Sequence, residues 1–139
     1  TTDRPACGPA WLYPGAMGIE VDPAQLASAL ERYDAAYLVT VSAQARAHVV
    51  PVTPTLDGQT LTVRGLGRRT RANAETNPSV ALVWPPGLPG GYTLIVDGVV
   101  ELGDDLLTLT PSRAVLHRSA PRPGGAVDDS GCESDCVEL

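Results

Sequence analysis

From residue 36 to residue 117 the chain returns again and again to short runs rich in Val, Leu and Thr, and each run stops at Gly, Pro, Asn, Asp or Ser. Runs of this length and composition are strand-like, and interruption at this spacing leaves little room for long helices. The pattern predicts strands over 37–41, 47–55 and 60–66, separated by turns at 42–46 and 57–58, which read together as an antiparallel meander. Pro51 and Pro54 fall inside the second of these. Neither can donate to a ladder, so that strand is expected at an edge, at a bulge, or beside something other than a strand. Strands resume over 79–84 and 92–102, joined by a Pro/Gly loop, and a last extended pair follows over 106–110 and 113–117. The total is about six antiparallel strands, the number and spacing of a small barrel, in a mainly β chain with short helices (α+β).

Two helices interrupt the strand pattern. Asp22, Pro23 and Gln25 place an N-cap, a first-turn proline and a capping-box partner in register, and Leu26, Ala29, Leu30 and Tyr33 then form one apolar stripe. A second, Arg-rich helical segment is expected over 67–77, closed by Asn77 and Pro78. Residues 1–21 read as an arm without apolar period, 22–118 as the single domain, and 119–139 as an acidic tail.

Composition narrows the function. All ten cations are Arg, so Schiff-base chemistry on a lysine is excluded. The net charge of −6 argues against broad nucleic-acid binding. No apolar run approaches the ~18 residues that span a bilayer, and no basic-then-apolar leader opens the chain, which gives the expectation of a cytoplasmic protein free of the membrane. The three Cys residues then read as reduced thiols.

Chemistry concentrates in one place. Arg64, Arg68, Arg69 and Arg71 put four of the ten positive charges within eight residues, with no acid among them. The cluster opens a helix, where unpaired backbone N–H groups already favour an anion, and Thr70 adds a hydroxyl. Arg forks match phosphate oxygens in pairs. The plainer alternative is a solvated helix whose arginines pair with acids such as Glu75. His48 and His117 are the only histidines, and no Ser, His and Asp set stands at a triad's spacing. Cys132 and Cys136, with His117 or Cys7, lack the tight paired spacing of a structural zinc site, so no metal is expected. Trp84 ends a strand just before a Pro-Pro loop, a position suited to lining an opening.

The order of capped helix, strand AYLVTVS, strand AHVVPVT, turn LDG, strand TLTVRGL, then GRRTRANAETNP and strand SVALVW resembles the pyridoxamine 5′-phosphate oxidase-like family of split β-barrel flavoproteins over residues 22–118. The resemblance implies a homodimer with FMN at the subunit interface. It implies a phosphate held by Arg69 and Thr70, where the family's usual Lys is replaced by Thr, so that Arg68 or Arg71 would supply the missing charge. His48, Val49, Val50, Pro51, Val52 and Thr53 would line the isoalloxazine ring, Val63 and Arg64 would make a second contact pair, and Tyr92 or Thr93 would reach across the dimer. The pyridoxal-substrate residues of the vitamin enzyme do not appear.

The family likeness thus leads to a small oxidoreductase that passes hydride to or from a small molecule, using FMN or the deazaflavin coenzyme of actinobacteria. Such cofactors carry the chemistry themselves, which fits a chain with no obvious acid–base constellation. The alternatives are a non-catalytic flavin- or haem-binding module, or a barrel that has lost its cofactor, favoured by Thr70. A single-stranded nucleic-acid binder is disfavoured because no aromatics interleave with the arginines.

Overall fold

The computed structural model describes residues 19–119 and 134–135. Seven antiparallel strands form the main path: β2 (Ala36–Val41), β3 (Ala47–Val52), β4 (Thr55–Asp57), β5 (Thr60–Arg64), β6 (Ser79–Trp84), β7 (Thr93–Leu102) and β8 (Leu106–Ser119). Two short strands, β1 (Ile19–Glu20) and β9 (Ser134–Asp135), pair with β8. The order across the sheet is β3-β2-β6-β7-β8-β5-β4. β3 and β4 therefore stand at opposite ends of the path, yet only Thr53 and Pro54 separate them in sequence. Three residue steps reach about 10 Å at most, so the sheet must curl until its two edges nearly meet. The result is a barrel with a seam between β3 and β4.

Strict alternation decides what fills it. Leu38 and Thr40 of β2, Leu61 and Val63 of β5, Leu82 and Trp84 of β6, Leu94 and Val96 of β7, and Leu107 and Leu109 of β8 all point inward and are buried. With no Phe in the chain, the core is Leu and Val around the Trp84 indole. The sequence reading of Trp84 as lining an opening is corrected here: Val80, Leu82 and Trp84 share one face of β6, and that face is the core.

Three boundaries differ from expectation. The strand predicted over 47–55 divides at Thr53 and Pro54, where the chain passes from one sheet edge to the other. The two segments predicted over 106–110 and 113–117 are one strand, because Ser112 is absorbed as a bulge opposite Asp97 and Gly98 and its hydroxyl donates to the Asp97 carbonyl at 3.2 Å. Gly98 permits this: a Cβ there would lie 2.5 Å from both Leu109 Cδ2 and the Thr110 carbonyl oxygen. The first helix is shorter than its stripe, with a 3₁₀ turn at Pro23–Gln25 followed by α1 (Leu26–Leu30). Asp22 does cap, its carboxylate accepting the Ala24 N–H at 2.9 Å, while the Gln25 side chain makes no reciprocal bond.

The end of the predicted arm belongs to the domain, since β1 pairs with β8 and Val21 enters the core. In the predicted tail, β9 pairs with Arg118 and Ser119 at the end of β8. Cys7, Cys132 and Cys136 lie outside the described residues. Among those residues no helix is long and apolar enough to cross a membrane.

Candidate functional site

The second helix, α2 (Arg68–Thr76), lies against β2 and is pinned there by two asparagines four residues apart. Asn73 Nδ2 donates to Thr40 Oγ1 at 3.1 Å inside the core, and Asn77 Nδ2 donates to the Val41 and Ser42 carbonyls at 2.9 and 3.2 Å. Residues at i and i+4 share a face, so an Asn pair at 73 and 77 was a readable signal of docking that the sequence reading left unused.

The other end of α2 is left open. Gly65, at φ +73°, turns the chain out of β5 and donates its N–H to Asp105 Oδ1 at 3.3 Å. Gly67 occupies the N-cap with extended backbone and no side chain to cap with. Its carbonyl accepts the Arg71 N–H at 3.1 Å, but among the described residues the N–H groups of Arg68, Arg69 and Thr70 have no acceptor. Helix N-termini in this state attract anions through both donors and dipole. Thr70 is only 2% exposed, and no described residue hydrogen-bonds its hydroxyl. Arg64, Arg68 and Arg69 are exposed and have no ion-pair partner among the described residues, Glu75 included.

These groups border a cleft of about 680 Å³ that follows the barrel seam. That volume lies within the range of small-molecule and cofactor sites. His48, Val50, Pro51, Val52 and Thr53 form one wall, Arg64 stands on the β5 side, and Arg68, Arg69 and Thr70 close the end. Thr55, Thr62, Gly65, Leu66 and Gly67, which the sequence reading did not single out as site residues, complete the lining.

Other expected site residues stand elsewhere. Val49 points to the outer face and is 55% exposed, as alternation along β3 requires. Val63 is 1% exposed in the core, so its side chain is not part of the cleft. Trp84 is likewise in the core. Thr93 opens β7 opposite His117 and does not line this chain's own cleft, as a residue expected to reach across a dimer need not, and the Tyr92 carbonyl accepts the Tyr33 hydroxyl at 2.8 Å. Of the two arginines expected to supply the charge that Thr70 lacks, Arg68 lines the cleft, while Arg71 does not and donates from Nη2 to the Gly103 carbonyl at 2.7 Å, in the turn between β7 and β8.

A flavin-type group needs a flat apolar wall, a phosphate cradle and an open face, and this cleft offers the first two from its own residues. Val50 and Val52 supply the wall, with Pro51 at its rim; the open N-terminus of α2 with its arginines and the Thr70 hydroxyl, which has no partner among the described residues, supplies the cradle.

No family model matches the chain. Two relatives, uncharacterised proteins of Mycobacterium bovis and Mycobacterium tuberculosis, are each 40% identical over 134 residues, covering 85% of this chain and 94% of their own. Among solved structures, a Listeria innocua protein classed as a pyridoxamine 5′-phosphate oxidase superposes with a TM-score of 0.57 at 17% identity, over 68% of this chain and 96% of that one. The FAD binding protein of Mycobacterium smegmatis gives 0.57 at 17% identity over 71% and 97%, and an F420 reductase gives 0.52 at 22% over 63% and 93%. The chain belongs to one family with the two mycobacterial proteins, and its fold is the pyridoxamine 5′-phosphate oxidase-like split barrel.

Proposed function

We propose that this protein is a cytoplasmic oxidoreductase that binds FMN or a deazaflavin coenzyme in the seam cleft, with two copies completing the site. The observation that carries the reading is the buried Thr70 hydroxyl, two arginines and three helix N–H groups standing together with no partner among the described residues. A buried donor without a partner costs about 1–3 kcal/mol, and a phosphate in the cleft removes that cost. The names of the F420 reductase and of the FAD binding protein that share the fold support the ligand class.

When bound, such a cofactor accepts and returns hydride by its own ring chemistry. The residues of this chain would bind and orient it: Arg68, Arg69 and Thr70 would hold the phosphate, and Val50 and Val52 would keep water from one ring face. The dimer is supported by the outer sheet face, where Tyr37, Val39, Val49, Ala81, Val83 and Ile95 lie side by side across β2, β3, β6 and β7, bounded by Asp97 beside Ala81. A contiguous apolar patch of this kind marks an interaction surface, and a second copy covers it symmetrically.

The test is the absorption spectrum of the purified protein, followed by titration with FMN, the deazaflavin coenzyme and riboflavin. Arg69→Ala should lose about 1.5–3 kcal/mol of FMN affinity, the scale of a hydrogen bond to a charged group, and leave riboflavin unaffected. Equal losses for both ligands would place Arg69 in the fold and not in phosphate recognition. A Soret band in place of a flavin spectrum would favour the haem-binding alternative.

A further inference from the structure

Among the described residues, the chain beyond β8 returns to the barrel at one place. There β9 pairs antiparallel with the end of β8, Asp135 opposite Arg118 and Ser134 opposite Ser119. Two of the three cysteines bracket this strand in sequence, Cys132 before it and Cys136 directly after it. The end of β8 is also tied inward. The Arg118 guanidinium lies 4.7 Å from the centre of the Tyr92 ring, and the Tyr92 carbonyl accepts the Tyr33 hydroxyl at 2.8 Å.

The backbone of β9 and a bond between these cysteines exclude each other. A disulfide needs its two Cα atoms within about 6.8 Å. With Ser134 and Asp135 extended, the Cα atoms of residues 133 and 136 are already about 10 Å apart, and a fully extended span from Cys132 to Cys136 is about 13 Å. Bringing Cys132 within reach would need the chain to double straight back at Glu133, which hard-sphere limits on φ and ψ forbid. The strand itself is a ladder of only two residue pairs at the end of the sheet, the kind of element that opens locally without disturbing the rest.

We infer that Cys132 and Cys136 form a thiol–disulfide switch that sets whether β9 is docked. With both thiols reduced, β9 covers the Arg118–Ser119 edge of β8; with the disulfide formed, β9 leaves and that edge is exposed. The oxidant is a small-molecule disulfide. The thiolate of one cysteine attacks it, forming a mixed disulfide and releasing one small thiol; the thiolate of the other then attacks the protein sulfur and releases the second. Two protein thiols lose two electrons and two protons, and one small disulfide becomes two thiols. The switch is independent of what the seam cleft binds.

Trypsin reads the state of β9 directly, because its cut after Arg118 lies in the β8–β9 ladder and the next arginine, Arg122, is followed by Pro123. The full chain carrying Cys7→Ser, so that only two thiols remain, is compared after reduction with dithiothreitol and after oxidation with oxidised glutathione. Intact mass should show the loss of two hydrogens in the oxidised monomer, and melting curves should show the barrel folded in both states. Release of the 119–139 peptide should then be about tenfold faster in the oxidised protein, as cleavage follows the population of the open form. Adding Cys132→Ser and Cys136→Ser should hold the slow rate under both conditions. If the disulfide forms and the rate after Arg118 stays that of the reduced protein, or if oxidation yields only mixed or intermolecular disulfides, the switch is refuted.

Discussion

Replacing Thr70 by Val separates a structural role from a ligand-binding one, because the two predict opposite signs. The side chain is 2% exposed and its hydroxyl has no partner among the described residues. Valine keeps the β-branched shape and nearly the same helix propensity, so the change removes little but the polar group. An unsatisfied buried hydroxyl costs about 1–3 kcal/mol, and the free protein should gain about 1 kcal/mol, a rise in Tm of roughly 4 °C for a domain of this size. In the FMN complex the same hydroxyl would donate to a charged phosphate, so the variant should lose about 1.5–3 kcal/mol of affinity, or roughly tenfold to 150-fold in Kd. Thr70→Ser keeps the donor and should hold most of the affinity. The assay is thermal unfolding at one protein concentration, with and without saturating FMN, alongside a direct titration. The free variant should melt higher than wild type and the saturated variant should gain less from ligand. A free variant that melts lower would show that the hydroxyl already serves the fold, and an unchanged FMN Kd would remove Thr70 from the cradle.

Gly98→Ala should destabilise by about 3 kcal/mol or more, because the added methyl meets the Thr110 carbonyl oxygen and Leu109 Cδ2 at 2.5 Å; chemical denaturation should show a lower midpoint at unchanged slope. Tyr33 titrates above its ordinary value of 10.0 because burial disfavours the phenolate, an effect that Arg32 partly offsets. Its contribution to stability is therefore complete below the unfolded pKa and is lost as pH rises through the higher folded one, and Tyr33→Phe should flatten that alkaline fall in a series of melting curves. The proposed dimer predicts that wild type scatters light at twice the chain mass and that Val49→Asp, on the outer face at 55% exposure, gives a monomer with unchanged helix and strand content by circular dichroism; a monomeric wild type would refute the dimer, and a variant that stays dimeric would move the interface elsewhere.

The strands were legible because one face of each is buried, which forces alternation: the inward Leu38, Leu61, Leu82, Leu94 and Leu107 each sit between more exposed neighbours. The same rule placed Trp84 with Leu82 and Val80, and its position before a Pro-Pro loop was the weaker signal. What local pattern did not reveal was pairing. The continuity of β8 through Pro111 depends on Gly98, a residue in another strand, and no window of sequence contains both sides of that bulge. The arginine cluster was visible as charge without countercharge, but its sorting was not. Arg71 shares a helix face with Arg68, and what holds it out of the cleft is a tertiary contact, its Nη2 donating to the Gly103 carbonyl, which no local window of sequence contains.

The prolines of the second predicted strand connect these two levels. β3 and β4 are consecutive in sequence and, because every pair along the order is antiparallel, they run in the same direction at the two ends of the curled sheet. Parallel strands joined only by Thr53 and Pro54 cannot share a ladder, and Pro51 and Pro54, which lack donors, fall in β3 and in the crossing to β4, where no such ladder is made. The edges are left apart, and a seam of two strands without a shared ladder is a groove with an apolar wall, here Val50 and Val52. β5 ends beside that groove at Arg64, and Gly65 and Gly67 bring the uncapped start of α2 over its end. The cleft is thus a consequence of an unclosed barrel, and the arginines stand where a ligand entering the seam would meet them. An anomaly in strand propensity and an anomaly in charge, read separately in the sequence, describe two walls of one site.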